Sequence, residues 1–402
     1  MSNETVVTAV PSVERTRWAY VALLLAAGVG AAMQVGKVPP SLPILQRELH
    51  ISLLSAAWII SLFSVMGATL GCLAGSVADY FGPRRAAALG LACMAAAGWL
   101  GAHADGVTGV LFSRALEGMA FVLVVVAIPS LIFASARPAD RRFVPALWGT
   151  YMPIGMSISL AIAPAVIKAW DWRGLWQLNA ALLLLLAVAL ASLNVPAPPP
   201  AAKRAPTPRA LGRVILRRGP LLLGLIFTCY TFQHMSVMGF LPTILQQQGF
   251  AAQSAGTLTA IAVLANAVGN LSASALIARG VRPSRLIMIA CASMAVTAIG
   301  VFSLPFAPLA RYEWVVVFSL LAGLVPASIF ACVPAAAEDR RASATIMGFV
   351  VQCSHIGQLI GPPAVAAVAA AAGGWQLSTL VLVPAACIAL VTARQLHRLH
   401  IA

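Results

Sequence analysis

Three ionisable residues stand inside segments that are otherwise apolar: Lys37, Arg114 and Glu117. A charge in the middle of a hydrocarbon layer costs about 2.5–3.5 kcal/mol on insertion scales, so each of these groups needs a reason to be there. Arg114 and Glu117 are separated by three positions and share one helix face. With Lys37 they make two positive charges against one negative, and an organic or inorganic anion would complete that surplus. Two plainer readings compete. Lys37, near the end of its segment, can snorkel to the interface. Arg114 and Glu117 can be a structural pair in which losing either strands the other. Neutral and switchable polar groups join them: Gln34, Gln233 and His234, then Gln352, His355 and Gln358 along one helical stripe. Histidine changes charge between about pH 5 and 8, which makes His234 and His355 candidates for coupling or for substrate hydrogen bonds. Helix–helix hydrogen bonds are their alternative use.

The elements that must hold these residues are membrane helices. The chain has 402 residues, is 60% hydrophobic and 9% charged, and has a mean hydropathy of +0.91. A soluble domain carries about 25% charged residues. Crossing a bilayer takes about 20 apolar residues per helix, and the segments lack the alternation of barrel strands. Twelve helices are expected, near 18–38, 53–74, 86–104, 107–134, 145–168, 174–194, 220–242, 254–278, 284–304, 313–336, 343–371 and 376–394. The first is read as a span, not a cleaved signal peptide. Lys37, Arg114 and Glu117 then all fall in the outer half of the membrane.

The net charge of +15 does not point to nucleic acid, because the basic residues cluster in the gaps between apolar segments. With the N-terminus inside, 20 Lys and Arg fall on the cytoplasmic side and 4 on the other. That asymmetry places both termini in the cytoplasm. Trp170, Trp172, Trp176, Trp314 and Trp375 fall where an interfacial aromatic belt is expected. The seven cysteines lie in apolar segments without a CxxC and read as packing residues. No metal site, cofactor or enzyme signature is evident, and no Gly-rich phosphate loop that would mark an ATP-driven pump. A stretch over 195–219, dense in proline and arginine, reads as a non-helical cytoplasmic linker. It divides an N-terminal six-helix bundle (1–194) from a C-terminal one (220–402).

The two halves repeat one another. Ser41-Leu42-Pro43-Ile44-Leu45-Gln46 returns as Phe240-Leu241-Pro242-Thr243-Ile244-Leu245-Gln246, with one residue inserted. Gln34 precedes Pro43 by the nine residues that separate Gln233 from Pro242. Gly82, Arg84 and Pro164 reappear 198 residues later as Gly280, Arg282 and Pro362, whereas Ile277 stands where Asp79 would. The short charged gap Gly75-Ser76-Val77-Ala78-Asp79-Tyr80-Phe81-Gly82-Pro83-Arg84-Arg85 resembles the signature loop of the major facilitator superfamily. Gly75, Asp79, Gly82, Arg84 and Arg85 match it; Tyr80 replaces a usual basic residue. Arg114 and Gly118 likewise resemble the family's Arg-x-x-x-Gly pattern on helix 4.

The resemblance covers essentially the whole chain. It implies an all-α fold of two six-helix bundles related by a pseudo-two-fold axis, working by alternating access. It implies a cavity lined by helices 1 and 4, a role for Arg114 in proton coupling, and a gating role for the loop from Gly75 to Arg85. Glu117, where the pattern often has Gln, is the expected titrating group. The first expectation is proton-coupled or exchange transport of a small organic anion. Gln34, Lys37, Arg114, Tyr151, Gln233, His234, Gln352 and His355 are its substrate contacts. The second is multidrug efflux by proton antiport, through a cavity lined by Tyr151, Tyr230, Phe232, Met235 and Met238, with Lys37 facing away. A non-transporting receptor is the third. A bacterial inner membrane, a monomer, a small-molecule substrate and H+ as coupling ion complete the expectations.

Overall fold

A polypeptide in hydrocarbon must satisfy its backbone polar groups internally, and among the described residues this chain does so with helices alone. The computed structural model describes residues 15–69, 82–140, 147–193, 208–337 and 340–399. Ten helices there are long and apolar enough to cross a membrane. They are α1 (Trp18–Glu48), α3 (Pro83–Ala102), α4 (Val107–Ser135), Tyr151–Ser192, α7 (Arg218–Gln247), α8 (Ala252–Ala278), α9 (Pro283–Phe302), α10 (Pro308–Ala336), Thr345–Ala372 and α12 (Trp375–Arg398). Thr345–Ala372 belongs to α11 (Arg340–Ala372). Tyr151–Ser192 is two helices, α5 and α6, meeting at Trp170 and Asp171, where Asp171 takes φ +62°. Leu53–Thr69 is α2, with a tighter 3-10 turn at Leu62–Ser64.

Sequence chemistry explains the main breaks. The hydrogen-bond ladder of α1 is interrupted at Lys37, which keeps helical dihedrals, because Pro39, Pro40 and Pro43 lack the N–H groups that would bond Val35, Gly36 and Pro39. The Ser41 hydroxyl donates to the Lys37 carbonyl at 2.8 Å. Gly82 precedes α3 with φ +82° and Gly280 precedes α9 with φ +90°, a conformation only glycine adopts freely, each followed by a helix-starting proline. Gly75, Asp79, Arg141 and Arg142 lie outside the described residues.

Two expectations change. Part of the basic linker is helical, Pro208–Ile215, because Pro208 sits at its first turn and no proline follows until Pro220. Trp172 and Trp176 are fully buried, whereas Trp170 is 67% exposed. The break at Asp171 folds the first turn of α6 onto the far end of α1, where Trp172 Nε1 donates to Glu48 at 2.6 Å. Arg173 pairs with the same carboxylate.

The halves meet along two seams. α5 packs on α8: Ser157 donates to the Ala260 carbonyl at 3.0 Å, and Asn270 to that of Gly149 at 3.4 Å. α2 packs on α11: Ser61 and Ser64 donate to Gln358, each at 3.1 Å, and Gln352 to Ala68 at 2.8 Å. A Cβ on Gly67 would press into the His355 ring. The part of α1 beyond Lys37 also leans on α7.

Candidate functional site

The three charges form one cluster, wholly inside the first half. Lys37, Arg114 and Glu117 are each 0% exposed, which rules out snorkelling for Lys37. Glu117 divides its carboxylate: one oxygen takes Lys37 Nζ at 2.6 Å and the other takes Arg114. Arg114 is further fixed by the carbonyls of Ile59 on α2 (3.2 Å) and Gln34 on α1 (3.1 Å), and lies over the Phe63 ring at 4.6 Å. Lys37 also donates to Gln34 Oε1 at 2.6 Å, and rests 4.1 Å from the centre of the Trp176 ring on α6. That cation–π contact partly replaces lost hydration.

Local sequence makes this packing possible. Gly98 on α3 leaves the cluster its room: a Cβ there would sit 3.0 Å from Glu117 Oε1 and 3.3 Å from Lys37 Nζ. Gly118, one residue beyond Glu117, lets the backbone of α2 approach at Phe63. Trp176 and Gly98 escaped sequence reasoning. The first has the composition of an interfacial anchor, and the second is one glycine in an alanine-rich run.

The other candidate residues are dispersed. Tyr151 stacks on Trp148 at 4.2 Å, against Gly28 of α1. Gln233 is buried and donates to the Cys229 carbonyl at 3.1 Å on its own helix. His234 stacks on Tyr230 at 5.6 Å and meets the Ser319 hydroxyl at 3.4 Å. Tyr230, Asn266 and Ser319 continue that neutral cluster within the second half. Gln352 and His355 sit in the α2–α11 seam, with His355 edge-on to Phe121. Gly357 and Gly361 press α11 on the backbone of α7, as a small-residue surface should. Among the described residues, none from the second half hydrogen-bonds or ion-pairs with Lys37 or Glu117, and no group of acids, histidines and cysteines is arranged to hold a metal.

At the basic end, Arg84 donates to the Leu193 carbonyl at 3.0 Å, tying α3 to the end of α6. Asp140 accepts from Arg137 at 2.7 Å and from Thr16 at 2.5 Å, and these bonds hold its carboxyl below the usual range.

Comparison with known proteins agrees with this architecture. The lincomycin resistance protein of Streptomyces lincolnensis is 25% identical over 176 residues, 44% of this chain and 36% of that protein. The puromycin resistance protein pur8 of Streptomyces alboniger is 29% identical over 170 residues, 42% of this chain and 34% of its own length. The multidrug efflux pump LfrA of Mycolicibacterium smegmatis is 26% identical over 188 residues, 46% and 37% of the two chains. The match thus spans about a third of each relative. Among solved structures, a point mutant of the nucleoside transporter NupG superposes with a TM-score of 0.74 at 13% identity, covering 94% of this chain and 98% of its own. An inward-facing bacterial homolog of the human lysosomal transporter Spinster gives 0.76 at 14% identity, covering 96% and 98%. The family model of the Major Facilitator Superfamily matches residues 22–362, and the chain belongs to that family of membrane transporters.

Proposed function

We propose that this transporter exports apolar, neutral or cationic compounds in exchange for protons, with the Lys37–Glu117–Arg114 cluster as the coupling device. One observation carries the choice. The fixed positive charges are turned into the first half, where Glu117, Gln34 and two backbone carbonyls occupy them. An anionic substrate between the halves would have to strip Lys37 from Glu117 and leave the carboxylate on Arg114 alone. What the second half offers is neutral and aromatic: Phe227, Tyr230 and His234 stack along one face of α7. Relatives whose names record resistance to lincomycin and puromycin support the same reading.

In this proposal the termini and basic loops are cytoplasmic, as the Lys and Arg distribution favours. A bacterial inner membrane suits the short loops. The loop carrying Gly75, Asp79, Gly82, Arg84 and Arg85 acts as the cytoplasmic gate, and the working unit is a monomer. Expression in an efflux-deficient bacterium provides the test. Tolerance to puromycin, lincomycin or ethidium should rise several-fold. No gain for any of them, together with organic-anion uptake driven by a pH gradient, would overturn the reading in favour of an anion carrier.

A further inference from the structure

We infer that the proton carrier of this transporter is Lys37 itself, with Glu117 and Arg114 as the fixed pair that holds it. The inference rests on the proton-coupled reading above and assigns the step within it.

The cluster carries two cations and one carboxylate, all 0% exposed, and so a formal charge of +1 with every member ionised. A buried net charge is far costlier than a buried neutral pair. One member therefore has cause to exist in two charge states. Arg114 is excluded by chemistry, since guanidinium stays protonated in proteins. It is also excluded by place, because Glu117 and the Ile59 and Gln34 carbonyls anchor it. Protonating Glu117 would raise the cluster to +2 and remove its only anion. Lys37 is left. Losing a proton from Nζ takes the cluster from +1 to zero: one N–H bond breaks, the electron pair stays on nitrogen, and the proton passes to water on the open side. The Arg114–Glu117 pair then stays balanced.

The surroundings fit such a group. Arg114 and Glu117 on α4 face the amine as charged groups; α1 adds the Gln34 amide, α6 the Trp176 ring and α3 the bare Gly98 backbone. No other ionisable side chain meets it among the described residues. A ring face and an amide oxygen can host an ammonium, but neither demands one.

Position supplies the link to motion. Lys37 sits at the break in α1. The stretch before it is clamped to α5, with Gly36 against Met156 and Gly155 against Ala32 and Met33. The stretch after it leans on α7 of the other half. Rocking of the halves flexes that joint and moves Nζ relative to Glu117. The charge on Nζ, in turn, biases the joint.

The chain has three lysines, Lys37, Lys168 and Lys203, so 15N-lysine labelling yields three side-chain signals. In lipid nanodiscs, the signal absent from Lys37→Gln should switch between ammonium and amine within about pH 5 to 9, the range a working proton carrier must cross. A Lys37 signal that stays ammonium throughout overturns the assignment. In proteoliposomes, Lys37→Gln and Lys37→Arg should both lose ethidium accumulation driven by a pH gradient and keep ethidium counterflow. Accumulation retained by Lys37→Gln also overturns it. If Lys37 titrates as expected and the wild type moves no ethidium, the carrier assignment stands and the substrate reading fails.

Discussion

The two halves solve the same packing problem, one with ions and one without. Shifted by the repeat of 198 residues, Arg114 and Glu117 fall on Tyr312 and Val315. The Tyr312 hydroxyl donates to the Leu258 carbonyl on α8 at 2.9 Å, much as Arg114 donates to Ile59 on α2. Ser236, the counterpart of Lys37, bonds the Phe232 carbonyl on its own helix. A six-helix bundle of this design therefore stands without buried charge. The ions of the first half are not a requirement of the architecture, and their use has to be sought in transport.

Breaking the ionic core should have the largest effect. Glu117→Ala strands the buried Arg114 guanidinium without its carboxylate and should cost about 3–5 kcal/mol, read as lost thermal stability in detergent. A loss no larger than that of Val315→Ala would remove the distinction between the halves. Next come contacts that both halves share. Gly118 admits the Phe63 backbone, and Gly269 admits that of Leu320. Gly118→Ala and Gly269→Ala should each cost about 1–3 kcal/mol, because backbone cannot step aside. A large inequality between them would show that the packing is not equivalent. Asn266→Ala, which removes bonds to Tyr230 and the Ser319 carbonyl in the second half, should cost only about 0.6 kcal/mol.

The smallest effect belongs to an ion pair outside the membrane. Asp140 is held below the usual carboxylate range by Arg137 and Thr16. A depressed carboxyl adds stability above its unfolded pKa and loses it as pH falls through the folded value. Asp140→Asn should therefore lower the melting temperature slightly at pH 7, and the difference should vanish in acid. A deficit that persists in acid would assign the effect to something other than charge.

The sequence announces the helices plainly, because each carries its own apolar run, and the repeat announces the symmetry. Arg114 and Glu117 are legible as partners since helical spacing alone joins them. Their link to Lys37, 80 positions away, rests on the scarcity of buried charge. Direction is harder to read. Trp176 faces inward because of the turn at Asp171, and Gln352 and His355 face the seam because α11 is pressed onto α2; spacing along one helix encodes neither. The carbonyls of Ile59 and Gln34 carry no side-chain signal at all.

The glycine opposite His355 sets a register. At Gly67 the imidazole enters a notch on α2 whose same-face neighbours one turn back, Phe63 and Ser64, both carry side chains. Sliding α2 along α11 by a turn would bring one of those side chains against the ring, so the seam has one alignment in which it closes. Such a detent favours abrupt separation of α2 and α11 over gradual loosening, with no stable half-latched form between.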